Sequence, residues 1–109
     1  MVSVLLIKRQ PYRNKKILNS ARDENCCAQF PGCLNETSTT VFCHLNESWA
    51  GKGMSQKADD CAGFFGCVNC HDLYDGRKHD LQFFNQRDSY VLQAYYRTIR
   101  RLIDLNILK

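Results

Sequence analysis

Long hydrophobic runs are absent from this sequence, which excludes a membrane-spanning helix, since such a helix needs about 20 consecutive apolar residues. The apolar run at residues 4–7 is also much shorter than the core of a secretory signal peptide, and no basic residue precedes it. Internal repeats and low-complexity tracts are absent too, so the 109 residues predict one small domain. We therefore expect an intracellular protein, located in the cytoplasm, that has no membrane partner.

A large excess of charge is also lacking. The 15 Lys and Arg residues outnumber the 11 Asp and Glu residues by four, far less than in a nucleosome-like polycation. The basic residues are nevertheless grouped, with five of them in residues 8–16 and three in residues 97–101. Such groups suit the phosphate backbone of a nucleic acid, although a solvated surface explains them equally well. Lys15, Lys16 and Arg97 are thus candidates for contacts with DNA.

Cysteine, by contrast, is abundant: the chain has seven, an odd number. The odd number and the Cys-x-x-Cys spacing of Cys67 and Cys70 favour metal binding in a reducing compartment over a disulfide framework. A closed tetrahedral zinc site needs four ligands, and the Pro31-Gly32 turn can fold a second group of cysteines together. The predicted ligands of this structural zinc are Cys33, Cys67, Cys70 and either Cys26 or Cys27, with His71 as an alternative to the last.

The secondary structure predicted from local patterns is of the α+β class. Residues 40–45 are rich in β-branched and aromatic side chains, which indicates a strand with His44 near its end. The residues that follow Cys70 predict a helix as far as about Arg77, which Gly76 is expected to end. Weaker patterns predict a short strand or tail over residues 1–10, a short helix over residues 14–22 and a short helix or turn over residues 57–65.

The clearest pattern is that of a long amphipathic helix over residues 85–104. Apolar residues recur there at intervals of three and four, with polar and basic residues on the other side. Asn85, with Asp88 three residues later, is expected to cap its start. Tyr95 and Tyr96 suit either a homodimer interface or a buried core. The predicted apolar face consists of Leu92, Tyr95, Tyr96, Ile99, Leu102 and Ile103.

A second ion site is predicted in the helix that follows Cys70. His71 and Asp75 lie four residues apart, so they project from one face, close enough to bind one ion together. Histidine combined with a carboxylate accepts several divalent ions, so these two residues alone do not select one. Arg77 lies two residues beyond Asp75 and could contact a phosphate group.

The order of these elements resembles that of the ββα-metal, or HNH, endonuclease superfamily: a strand ending in histidine, a loop, and a helix entered through Cys-x-x-Cys-His. More closely, the chain resembles the YbcO-like nucleases of phages and prophages, over most of residues 20–105. The matching stretches are Cys26 with residues 31–35, then residues 43–45, 53–60 and 67–72, then residues 75–77, and finally Arg97 with Thr98.

This resemblance implies a zinc-stabilised ββα-metal domain over residues 23–109, preceded by a basic N-terminal segment over residues 1–22. It implies a metal-dependent DNA endonuclease that acts in phage DNA recombination or processing. His44 matches the general base, a role that suits histidine because its unperturbed pKa lies near physiological pH. His71 matches the residue that binds the catalytic ion, Mg²⁺ or another divalent ion, with Asp75 as its partner on the helix.

The chain departs from the superfamily pattern at two points. Cys43 stands where many members have an Asp or His that binds the catalytic ion. The middle Asn of the signature has no certain counterpart, and Asp60 and Asn69 are candidates for its structural hydrogen-bonding role. A zinc-stabilised nucleic-acid-binding or adaptor module without catalysis is therefore the alternative hypothesis, and Cys43 is the residue that favours it.

Overall fold

A hairpin of two short strands lies between the helices of this protein. The structure, a computed structural model, describes residues 10–53 and 56–108, so the strand or tail predicted for residues 1–10 falls almost entirely outside the described part. Within those residues no helix is long and apolar enough to cross a membrane. The helices and strands are α1 (Lys15–Ser20), β1 (Val41–His44), β2 (Gly63–Gly66), α2 (Val68–Asp75), α3 (Leu81–Asn85) and α4 (Arg87–Asp104), with 3-10 turns at Thr37–Thr39 and Ser48–Ala50.

The two strands pair antiparallel, and their side chains divide the interior into two clusters. The register places His44 opposite Gly63 and Phe42 opposite Phe65. Successive side chains of a strand point to opposite faces. Phe64 therefore packs in the first core cluster, with α2 and the segment around Phe30, while Phe65 packs in the second core cluster, with α1 and the end of α4. The predicted α+β class with a long C-terminal helix is confirmed.

The helix or turn predicted over residues 57–65 is present only as a turn at residues 60 and 61, and a helix there is wrong, because residues 63–66 form β2. All four residues of β2 are buried. A strand that is buried on both faces lacks the alternation of polar and apolar residues by which a strand is recognised in a sequence. Its two phenylalanines therefore indicated only a buried segment, without distinguishing strand from helix.

Gly63 allows the close approach of the two strands, and we expect Gly63→Ala to be strongly destabilising. A Cβ atom there would lie 2.4 Å from the carbonyl oxygen of Cys43 and 2.5 Å from the Phe42 ring. We expect a loss of about 2–3 kcal/mol in the free energy of unfolding, measured by denaturant titration. Gly53→Ala is the control, because a Cβ atom at Gly53 would meet no atom of residues 10–53 or 56–108 within 4 Å. Equal losses for the two variants would contradict this account of the hairpin.

The short helix predicted near residues 14–22 is observed as α1. The side chain of Asn14 caps it by accepting hydrogen bonds from the amides of Lys16 and Ile17. Ile17 and Ala21 are fully buried in the second core cluster. The boundary between a basic N-terminal segment and the domain, placed between residues 22 and 23, stays a prediction. Helix α1 belongs to that N-terminal segment and packs directly on the core.

Helix α4 begins two residues later than predicted and buries only part of the predicted face: Leu102 is buried, and Ile99 is partly buried against the second core cluster. Asn85 ends α3, which Asp80 caps, and no side chain caps α4, so the capping role predicted for Asn85 is wrong. The fully buried residues of α4 are Ala94, Thr98 and Leu102, whereas Leu92 and Tyr96 are largely exposed. Small side chains let α4 approach β2, where the Thr98 hydroxyl accepts a hydrogen bond from the Phe65 amide. The sequence pattern favoured large apolar and aromatic side chains over Ala94 and Thr98, which is why it included the exposed Leu92 and Tyr96 in the buried face.

Candidate metal centre and catalytic groups

Four cysteine sulfurs converge where β2 meets α2. The sulfurs of Cys26, Cys33, Cys67 and Cys70 all lie within 4.8 Å of one another. The Cys33–Cys67 and Cys67–Cys70 sulfur distances are both 3.8 Å. Four sulfurs bound tetrahedrally to zinc at about 2.3 Å are themselves separated by about 3.8 Å. The cluster could therefore hold a metal ion, and its donor set and dimensions fit zinc.

Local backbone geometry brings these sulfurs together. Gly32 adopts a left-handed conformation with φ of 81°, and this turn returns the chain to Cys33. Cys67 directly precedes α2, so Cys70 lies one helical turn further along the same side. Backbone amides also point at the sulfurs: that of Cys67 donates to Cys26 at 3.3 Å, and that of Asn35 donates to Cys33 at 3.4 Å. Such bonds favour the thiolate form, which is the form that binds metal.

The pKa values of Cys26, Cys33 and Cys70 favour one thiolate in the cluster and oppose the ionisation of further thiols. A hydrogen bond from Cys70 lowers the pKa of Cys26 to about 5, although burial opposes this shift. The same bond raises the pKa of Cys70. Burial raises the pKa of Cys33 to about 11. A divalent cation would supply the positive charge that the remaining thiolates need.

The structure distinguishes between the cysteines that the sequence left open. Cys26 lies in the cluster, whereas Cys27 packs in the second core cluster beside Phe65 and Leu102, and burial raises its pKa. His71 also lies outside the four-sulfur group, because its ring contacts Asp75 instead.

The predicted pair on α2 is in contact. Nε2 of His71 lies 3.0 Å from Oδ2 of Asp75, and the side chains are 34% and 24% exposed. Two ligand atoms at about 2.1 Å from an ion, at right angles, are separated by about 3 Å, so this spacing suits one octahedral edge. Within residues 10–53 and 56–108, the cysteine cluster is the only group of three or more such ligands. An ion held by His71 and Asp75 would thus take its other ligands from water or substrate.

Two further side chains contact Asp75. The side-chain amide of Asn46 donates to Oδ1 of Asp75 at 3.2 Å, and Nη2 of Arg77 lies 3.2 Å from Oδ2 of Asp75. Arg77 also donates from Nε to Asp72 at 2.9 Å, and its side chain is 58% exposed. The structure therefore places Arg77, the predicted phosphate contact, directly beside His71 and Asp75, the two predicted ligands of the catalytic ion.

His44, the predicted general base, belongs to a different group of side chains. Its Nε2 lies 2.8 Å from Oδ1 of Asp60, a residue that is 1% exposed. Asp60 also accepts a hydrogen bond from the backbone amide of Asn14 at 2.7 Å and one from the Arg13 guanidinium at 3.3 Å. Burial acts to raise the pKa of Asp60, but these hydrogen bonds and the charges of His44 and Arg13 outweigh it and hold that pKa below its usual value. Asp60 is therefore ionised at neutral pH.

His44 and the His71–Asp75 pair approach the same end of the hairpin from opposite faces. Cys43 and Leu45 point into the first core cluster, toward α2. His44 lies on the other face, where its ring packs edge-on against Phe42 with 5.2 Å between centroids. Asn46, which contacts Asp75, follows His44 by only two residues, a segment that spans at most about 7 Å.

The candidate DNA contacts differ in their surroundings. Lys15 and Lys16 are exposed on α1. Arg97 instead donates to the carbonyl oxygens of Cys27 at 3.0 Å and Ala28 at 3.2 Å, which ties the segment around Cys26 to α4.

Sequence reasoning missed the roles of Arg13, Asn14 and Asn46, because their contacts connect residues 29–47 positions apart and no short spacing encodes them.

The chain is similar to a described protein family and to a solved structure. A family model described as "Putative nuclease YbcO" matches residues 15–106. The chain therefore belongs to the YbcO family, and this membership suggests nuclease activity on a nucleic-acid substrate. A solved structure from Escherichia coli K-12, described as a "putative bacteriophage protein", is 23% identical, with a TM-score of 0.62 over 82% of this chain and 98% of that one. That likeness establishes a shared fold. No curated protein matches the chain.

Proposed function

We propose that the protein is a metal-dependent DNA endonuclease of the ββα-metal, or HNH, superfamily, acting in phage DNA recombination or processing. The observation that carries this proposal is the His71–Asp75 contact of 3.0 Å on α2, in a chain that belongs to a nuclease family. Both side chains are accessible, and they extend from a helix that begins at the cysteine cluster. His44, at the same end of the hairpin, supplies a base.

The chain's own groups divide the hydrolysis of a phosphodiester between them. His44 accepts a proton from the attacking water. His71 and Asp75 hold the divalent ion, Mg²⁺ or another, which when bound supplies Lewis-acid stabilisation of the phosphate and the leaving oxygen. Arg77, which is exposed and contacts Asp75 in the structure, can turn to a neighbouring phosphate. Lys15 and Lys16 add backbone contacts that carry no sequence information.

The cysteine cluster has a structural role in this proposal. Four sulfurs around a tetrahedral zinc leave no open position for water or substrate. The zinc would instead join the turn at Gly32 to the start of α2, and so fix where α2 presents His71 and Asp75. Arg97 separately ties the segment next to Cys26 to α4, through its bonds to the carbonyls of Cys27 and Ala28.

The alternative is a zinc-stabilised module that binds nucleic acid or another protein without cutting. Two observations favour it: Cys43 is 1% exposed and points into the core, so it adds no ligand, and Arg77 already neutralises Asp75. The two hypotheses differ in whether a divalent ion beyond the zinc is needed.

We expect His71→Ala to separate them. If His71 holds the catalytic ion, the variant should lose at least about 100-fold in cleavage rate. Its affinity for Mn²⁺, measured by electron paramagnetic resonance, should fall in parallel, while its zinc content stays unchanged. His79→Ala is the matched control, since His79 is exposed beyond the end of α2. Unchanged Mn²⁺ binding in His71→Ala would refute the proposed ion site.

A further inference from the structure

We propose that Asp60 is the positioning residue of the general base: its carboxylate holds His44 in the tautomer that carries hydrogen on Nε2, which leaves Nδ1 as the proton acceptor. The inference rests on the proposed function for the role of His44 as base. It assigns a task to a buried acid that the hydrolysis described above does not use.

The geometry of the pair fixes the direction of the hydrogen bond. Asp60 Oδ1 lies 2.8 Å from Nε2 of His44. An ionised carboxylate can only accept hydrogen bonds, so Nε2 must carry the hydrogen of the pair. In a neutral imidazole the other nitrogen then keeps its lone pair. Nδ1 is therefore the atom that can take a proton from water.

The carboxylate is itself held by donors from the N-terminal part of the chain. The backbone amide of Asn14 donates to Oδ2 at 2.7 Å, and Arg13 donates to Oδ1 at 3.3 Å. The Arg13 guanidinium is fixed in turn by the carbonyl oxygens of Ala58 at 2.7 Å and Lys57 at 3.0 Å. With both oxygens engaged and 1% of the residue exposed, Asp60 has little freedom to rotate away from His44.

An ionised, buried acid at this position also stabilises the imidazolium that forms when His44 takes the proton. The same logic explains why an aspartate-to-asparagine change beside a catalytic histidine in another enzyme class lowers turnover by about 10⁴-fold without disturbing the geometry. In Asp60→Asn the amide can also donate to the ring, so the wrong tautomer becomes populated. We expect Asp60→Asn to lower kcat by about 10²-fold or more, a smaller effect than in that other enzyme class. The KM for DNA should stay unchanged.

A double-mutant cycle with His44→Ala tests this assignment. Asp60→Asn should lower kcat in the wild-type background and have no further effect on the residual rate in the His44→Ala background. Asp88→Asn is the charge-matched control, because the Asp88 side chain is 99% exposed. An increase in KM with kcat unchanged, or an equal fall in kcat in both backgrounds, would show that Asp60 acts on the fold instead of on His44.

The tautomer can be measured without any cleavage. Long-range ¹⁵N–¹H NMR spectra of the wild-type protein, at a pH where its three histidines are neutral, report which ring nitrogen carries hydrogen. We expect the Nε2–H form for His44, and a mixture of forms in Asp60→Asn. An Nδ1–H form in the wild type would overturn the inference. If the wild type cleaves no DNA under any ion, the proposed function fails, and this spectrum still decides the Asp60–His44 assignment.

Discussion

Replacing Cys67 with Ser should unfold the protein at ordinary temperatures and abolish its zinc binding. Cys67 lies at the centre of the cluster, 3.8 Å from the sulfurs of both Cys33 and Cys70. Structural zinc contributes about 10–16 kcal/mol of apparent binding free energy. The total stability of a domain is about 5–15 kcal/mol, so a chain of 109 residues has little else to replace the metal. Circular dichroism during heating and elemental analysis of the purified variant measure the two effects.

Cys61→Ser provides the matched control for that experiment. Cys61 is exposed and lies outside the four-sulfur cluster, so its replacement should leave both the zinc content and the melting temperature nearly unchanged. Surface substitutions of this kind usually change stability by no more than about 0.5 kcal/mol. A Cys67→Ser variant that melts like Cys61→Ser would contradict the account of the cluster as the centre of the fold.

Replacing His44 with Ala should abolish most DNA cleavage while leaving the protein folded. Loss of a general base typically lowers the rate by about 10²- to 10⁴-fold. Folding should survive, because Asp60 keeps two other partners, the backbone amide of Asn14 at 2.7 Å and Arg13 at 3.3 Å. The zinc content should also survive, since His44 lies outside the cysteine cluster. Cleavage of a supercoiled plasmid and retardation of a DNA fragment on a gel separate catalysis from binding.

His79→Ala is the control for this variant as well, since it removes an imidazole that lies exposed after α2. It should cleave at the wild-type rate. If His44→Ala cleaved as fast as His79→Ala, another group would be the base. If His44→Ala lost DNA binding together with cleavage, His44 would be a binding residue.

The parts of the site that could be predicted from the sequence are those encoded in short spacings. Cys67 and Cys70 lie one helical turn apart, and His71 and Asp75 lie four residues apart in the same helix, so local geometry alone places each pair together. Gly76 ends α2 in the left-handed conformation that glycine favours, as predicted. These features depend on neighbours in the chain and need no knowledge of the fold.

The features that could not be predicted depend on contacts between distant segments. The sequence left Cys26 and Cys27 equivalent, and only the packing of Cys27 beside Phe65 distinguishes them. Asp60 was a candidate for a structural hydrogen bond, but the sequence did not indicate its partner. That partner is His44, 16 residues earlier on β1, and the path of the loop between the strands brings the two together. The buried face of α4 was predicted only in part for the same reason: Leu102 is buried as predicted, but the close approach of β2 selects Thr98 over larger apolar residues.

The measurement that tests the proposed nuclease most directly is plasmid cleavage by the wild-type protein in Mg²⁺, Mn²⁺, Ni²⁺ or EDTA, with zinc counted by elemental analysis in each sample. We expect nicking that requires an added divalent ion and occurs while the structural zinc is retained. Absence of cleavage with every ion, from protein that keeps its zinc and still binds DNA, would contradict the proposed function and favour the binding module in which Cys43 replaces an ion ligand.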